Sequence, residues 1–157
     1  MRRQKLDRTD LKILKKLQEN GRITNVELAE YAGISAPPCL RRVRSLEKAN
    51  IIRGYTADIN PNSLGFGITV FTQVRLESNK DADIKGFEEK VAQYEMVREC
   101  HLLSGDVDFL LRIVSRDWDS YQHFLTHELA AMDNVSSVKT SPIVKSSKTL
   151  NGVPIEV

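Results

Sequence analysis

At 157 residues, with 41% hydrophobic and 28% charged residues, the chain has room for one ordinary domain or two small ones and the balance of a globular protein, not a disordered one. No apolar run approaches the ~20 residues that span a bilayer, and no apolar signal core follows the basic N-terminus, so a cytoplasmic protein without a membrane partner is expected. The net charge of +2 is unevenly placed: residues 1–60 hold 13 Lys/Arg against 7 Asp/Glu, and residues 61–157 hold 10 against 14, a basic front suited to a polyanion and an acidic rear.

Asp7, with Asp10 three residues on, opens a first helix by placing negative charge at its N-terminal end. Leu11, Leu14 and Leu17, with Ile13 beside them, give it an apolar face, and Asn20-Gly21 ends it. Thr24 and Glu27 form the spacing of a capping box and start a second helix, whose apolar side is Leu28, Ala29 and Ala32 and whose stop is Gly33. A third helix begins at Ser35 after a connection of about three residues, the length and chemistry of a helix-turn-helix.

The third helix carries the functional signal. With Val43 at the centre of its buried face, Ala36, Cys39, Leu40 and Leu46 fall within about 60°. Pro37, Pro38, Arg41, Arg44, Ser45 and Lys48 lie on the opposite side, with Arg42 on the flank. The prolines sit in the first turn, where a missing N–H costs little. Arginine pairs in a bidentate way with guanine O6 and N7, and neighbouring cations meet phosphates. Ser35, Pro37, Pro38, Arg41, Arg42, Arg44, Ser45 and Lys48 are therefore the candidate contacts to double-stranded DNA. Arg53, just beyond, is a further candidate phosphate contact. Ile51–Asp58 reads as an alternating strand, and Asn60-Pro61-Asn62 as a turn.

A second module follows. Ile68–Leu76 alternates as a half-buried strand. Ile84, Phe87, Val91 and Tyr94 form a helical stripe, Val97–Leu103 is strand-like, and Ser104-Gly105-Asp106 is a turn. Val107–Ser115 is an apolar strand, Asp117 caps a helix carrying Trp118, Tyr121, Leu125, Leu129 and Met132, and Val135–Val144 is a last strand. The order βαβ-βαβ is that of a ferredoxin-like sandwich with both helices on one face of an antiparallel sheet. The expected class is thus α+β: a winged-helix-like helix-turn-helix domain at 1–52, a hinge strand and linker at 53–66, and a ferredoxin-like domain at 67–157. Phe71 and the opposite parity of 107–115 leave apolar groups on the uncovered face, so a homodimer through this module is expected.

Taken in order, Leu6-Asp7-Arg8-Thr9-Asp10-Leu11-Lys12-Ile13-Leu14, the stretches Leu28–Ser35 and Pro38–Glu47, Ile51-Ile52-Arg53-Gly54-Tyr55, and Leu103–Leu111 resemble the Lrp/AsnC family of bacterial and archaeal regulators. The likeness covers about residues 5–150. It implies a transcriptional regulator whose dimers assemble further, often into octamers, and a small effector, usually an amino acid, bound between subunits near residues 104–108. Asp106 or Asp108 suits the effector's ammonium, and Ser104 and Gly105 let its carboxylate approach backbone amides. Ordinary hairpin chemistry explains the same residues equally well. Thr140 and Ser141 of a facing subunit are the expected complement.

Three other constellations compete. Asp119, His123 and His127 recur at helical spacing, but opposite the apolar stripe, so a solvent-facing row is favoured over a metal site. His101 and Arg112 are the groups that an enzyme of the haem-decarboxylase layout would use. A sensing module that acts on protein partners is the third. Neither of the last two explains the outward row Arg41, Arg44 and Lys48. No triad spacing and no phosphate-binding glycine loop is present. Cys39 and Cys100 fit neither a disulfide framework nor a Cys-rich zinc site. No cofactor, no metal and no catalysis are expected.

Overall fold

The computed structural model describes residues 5–157 and divides into two compact units, residues up to Asp58 together with Lys148–Val157, and Ile59–Ser147.

The first unit holds α1 (Arg8–Glu19), α2 (Asn25–Ala32) and α3 (Ala36–Lys48). Both expected starts are complete capping boxes. Asp7 and Asp10 satisfy each other's backbone N–H groups at the head of α1, and Thr24 and Glu27 do so for α2. Gly33 ends α2 at φ 75°, a left-handed conformation that a Cβ would penalise. The three helices close on Ile13, Leu28, Ala29, Ala32, Cys39 and Leu46. Leu11, Leu14 and Leu17, expected to lead the face of α1, are only half-buried around the fully buried Ile13.

Two expectations for this unit change. Residues 53–60 form neither helix nor strand, so no hinge strand forms in the single chain, and Pro61–Leu64 is a 3-10 turn. A strand needs a ladder partner as well as an alternating pattern. Lys148–Val157, expected to extend the second domain, clusters instead with the first unit. There Gln18 Nε2 donates to the Val153 carbonyl at 2.8 Å and Val153 N–H donates to Gln18 Oε1 at 2.9 Å.

The second unit is the ferredoxin-like sandwich. Its elements are β1 (Ile68–Leu76), α4 (Asp81–Val91), β2 (Val97–Leu102), β3 (Phe109–Ser115), α5 (Trp118–Phe124), a π-helical turn Leu125–Leu129 and β4 (Val135–Pro142). The sheet order is β2-β3-β1-β4, with all neighbours antiparallel. Val70, Val74 and Leu76 of β1 and Phe109, Leu111 and Ile113 of β3 point at the helices, where Phe87, Val91, Tyr121, Phe124 and Leu129 complete the core. Strand parity puts Phe71, Leu110 and Val114 on the other face, half-buried, with Arg112, Glu99 and His101. Among the described residues no helix is long and apolar enough to cross a membrane.

Candidate nucleic-acid interface and effector turn

The observed buried stripe of α3 runs through Cys39 and Leu46, both essentially inaccessible, while Val43 is only half-buried. The stripe is thus turned by about 40° from the expected centre at Val43. Two consequences follow. Leu40, expected inside, is 40% exposed, because it lies about 100° from Cys39. Arg42, expected on the flank of the DNA face, lies about 60° from Cys39 and turns toward α1.

The outward side is left with Pro37, Arg41, Arg44, Ser45 and Lys48, all exposed. Neither guanidinium nor the Lys48 ammonium has an ion-pair partner among the described residues. Around the helix axis Pro37, Arg41, Arg44 and Lys48 fall within about 40° of the direction opposite Cys39. This is a row of cations on one ridge, held by a rigid three-helix core.

The head of α3 has a chemistry of its own. Ser35 is the N-cap, yet its side chain makes no capping bond. A capping oxygen accepts from the second or third helical N–H. Here those positions are Pro37 and Pro38, which have none. The exposed Ser35 hydroxyl is therefore uncommitted, and the prolines present rings where most helix starts present amide donors. Asn25 Nδ2 donates to the Ala36 carbonyl at 2.8 Å and ties the start of α2 to the start of α3.

Arg42 is committed within the chain. Its guanidinium donates to Asp7 Oδ2 and Asp10 Oδ1, each at 2.8 Å. The Asp7 carboxyl is held below its usual range, first by the Asp10 N–H and then by Arg42. Arg53 is exposed, but it lines a groove of about 560 Å³ with Leu14, Leu17, Gln18, Tyr55 and the C-terminal Val153 and Ile155, apart from the α3 row. Tyr55 donates its hydroxyl to Glu47 at 2.9 Å, which fixes the segment after α3.

At the β2–β3 hairpin, Ser104, Gly105 and Asp106 are exposed and Gly105 has φ 152°. Asp108 is a structural anchor. Its Oδ2 accepts from Leu76 N–H at 2.7 Å, its own N–H donates to Val74 O at 3.0 Å, and its carbonyl accepts from Leu103 N–H at 2.8 Å. Arg75, which sequence reasoning missed, donates through Nε and its terminal nitrogen to the Asp106 carbonyl. The signal for it was weak: an arginine at an outward strand position reads as a solvated charge. These bonds leave the Asp106 carboxylate exposed at the turn.

The single chain does not bring Thr140 and Ser141 to that turn. Thr140 pairs with Thr72, three residues along β1 from Arg75, a separation of about 10 Å. The Thr140 hydroxyl shares a bond with Tyr121 OH, which also bonds Thr72 Oγ1 at 3.1 Å. Ser141 lies on the open face opposite Phe71 and is exposed. His101 and Arg112 both bond Glu99, at 3.2 and 2.5 Å, which pulls its carboxyl below the usual range, Arg112 contributing most. His123 and His127 stack at 4.4 Å on an exposed surface. Among the described residues no three His, Cys, Asp or Glu side chains gather as metal ligands would.

Comparison with known proteins finds two family matches along the chain. Residues 6–53 match the winged helix-turn-helix DNA-binding family, and residues 69–153 match the Lrp/AsnC ligand binding domain. A leucine-responsive regulatory protein of Rhizobium meliloti is 49% identical over 146 residues, 93% of this chain and 94% of the relative. Among solved structures, a transcriptional regulator of Neisseria meningitidis in complex with L-Met superposes with a TM-score of 0.91 at 38% identity, covering 96% of this chain and 97% of that one. An AsnC family transcriptional regulator of Agrobacterium tumefaciens does so with a TM-score of 0.88 at 33% identity, covering 95% and 97%.

Proposed function

The chain belongs to the Lrp/AsnC family of transcription regulators, and from that premise we propose that it reads operator DNA through Arg41, Arg44, Ser45 and Lys48 of α3, with Ser35, Pro37 and Pro38 at the helix head. The observation that carries this reading is the exposed cationic ridge, unpaired among the described residues, on a helix whose opposite face is locked into a capped core. In this reading Arg41 and Arg44 address base edges, and Lys48 and Ser35 address phosphates. Arg53 is a peripheral phosphate contact, and the protein acts in the cytoplasm as a regulator, not as an enzyme.

Two copies pair through the open sheet face, where Phe71, Leu110 and Val114 are half-buried, and further assembly, up to an octamer, builds on that dimer. The paired α3 helices then address successive major grooves, roughly 34 Å apart. The effector is a small molecule with an ammonium and a carboxylate, for which the L-Met complex of the Neisseria relative is the support. It binds at Ser104, Gly105 and Asp106, with Asp108 holding the turn and Ser141 and Thr140 of a facing copy nearby. Its binding shifts subunit packing and so couples to DNA affinity.

Gel-shift titration of a duplex enriched by the wild-type protein from a random library tests the first part. Arg41→Ala/Arg44→Ala should lose at least 10-fold in affinity while its melting temperature stays within a few degrees; unchanged affinity sinks the assignment. For the effector, a thermal-shift screen of the amino acids should give a stabilising hit that Asp106→Ala abolishes. A variant responding as wild type makes Asp106 a turn residue only.

A further inference from the structure

Arg42 is the one arginine of α3 that faces the body of the domain. Its partners are themselves a closed unit. Asp7 Oδ1 accepts from Asp10 N–H at 2.8 Å, and Asp10 Oδ2 accepts from Asp7 N–H at 3.1 Å. Each carboxylate therefore uses one oxygen to cap α1 and offers the other to Arg42, at 2.8 Å in both cases. All four carboxylate oxygens are engaged. The Asp10 side chain is 12% exposed, that of Arg42 35% and that of Asp7 53%, so the contact is sheltered at Asp10 and open at Asp7. Two carboxylates around one guanidinium carry a net negative charge, which repels a phosphate and does not invite one.

We propose that Arg42 is a positioning residue for DNA recognition, fixing the rotation of α3 through the Asp7–Asp10 cap of α1 and touching no DNA itself. This rests on the reading of α3 as the DNA-reading helix. The geometry gives the leverage. Side chains reach about 6 Å from the helix axis, so a 20° rotation displaces a guanidinium by about 2 Å, enough to break a hydrogen bond. Arg41 and Arg44 flank Arg42 in sequence, so any turn of the helix at Arg42 moves both. To the close packing of Cys39 and Leu46 the Arg42 Nη1 bonds to two capped carboxylates add a directional constraint on the rotation of the helix.

The test is the salt dependence and the discrimination of DNA binding by the full chain. The probes are a duplex enriched by the wild-type protein from a random library and an unrelated duplex of equal length, with active protein fraction measured for each variant. Arg42→Met should lower affinity for the enriched duplex at least 10-fold, leave affinity for the unrelated duplex within 2-fold, and keep the slope of log K against log salt at the wild-type value. Asp7→Asn/Asp10→Asn should lose the same ratio of affinities between the two duplexes, while the loss of two negative charges raises affinity for both alike. Arg42→Lys, which keeps a cation beside the two carboxylates, should recover part of the discrimination. Arg41→Ala, by contrast, should lower affinity for the enriched duplex. A slope reduced by about 0.9 in Arg42→Met would mean a direct phosphate contact and overturn the proposal. Equal losses on both duplexes would reduce Arg42 to a folding role and also overturn it. If wild type fails to discriminate the duplexes and Arg41→Ala changes nothing, the DNA reading of α3 itself has failed.

Discussion

Tyr121→Phe removes a single hydroxyl from the centre of the second unit. Tyr121 is 1% exposed and bonds Thr72, 0% exposed, as well as Thr140, so one phenol joins α5 to β1 and β4. Loss of the hydroxyl strands the Thr72 Oγ1 without water, at a cost of about 1–3 kcal/mol. With a urea m-value of about 1–1.5 kcal/mol/M for a unit of this size, the midpoint should fall by about 0.7–3 M. The single Trp of the chain, Trp118, has its ring 5.3 Å from that of Tyr121 and reports unfolding of this unit by fluorescence. Thr72→Val removes the group that would be stranded, so Tyr121→Phe/Thr72→Val should be no less stable than Tyr121→Phe, with a coupling of about 1 kcal/mol in the double-mutant cycle. Strictly additive losses would refute the reasoning. The same phenol bonds Thr140, so Thr140→Val should lower stability as well.

Tyr55 gives the first unit an alkaline limit. Burial and, after it, the bond to Glu47 push its phenol up to about 12, against about 10 in an unfolded chain. The unfolded state therefore releases this proton first, so the contribution of Tyr55 is full below pH ~10 and lost as pH rises from about 10 to 12. Tyr55→Phe should flatten that part of the stability profile, measured by circular dichroism, and an unaltered profile would refute the assignment. Gln18→Ala removes both bonds to Val153. Each is solvent-exposed and so contributes at most about 1 kcal/mol, yet tryptic cleavage at Lys148 should speed up several-fold; an unchanged rate would show that the C-terminal segment is held by other means.

The parts of the fold legible in the sequence are those fixed by local chemistry. Asp7–Asp10 and Thr24–Glu27 announce their helices because caps are satisfied within four residues, and Gly33 stops α2 because only glycine takes φ 75° cheaply. The βαββαβ order follows from alternation and stripe lengths. What was not legible depends on a partner distant in the chain. Residues 51–58 alternate like a strand but find no ladder. Lys148–Val157 carries no pattern that foretells its bonds to Gln18. The 40° turn of α3 exposes Leu40 and brings Arg42 to Asp7 and Asp10, more than thirty residues upstream, and periodicity within α3 does not indicate such partners. Thr140 read as a polar strand residue because its partner Tyr121 lies on another element.

The most direct measurement of the central claim pairs a DNA change with a protein change. Guanines of the enriched duplex are replaced one at a time by 7-deazaguanine, which lacks the N7 acceptor, and affinity is measured for wild type, Arg41→Ala and Arg44→Ala. The expected result is a loss of roughly 3- to 10-fold with wild type at particular guanines, part of the value of a bidentate pair, and no further loss at those positions in the arginine variant that addresses them. Equal losses in wild type and both variants would contradict the placement of α3 in the major groove.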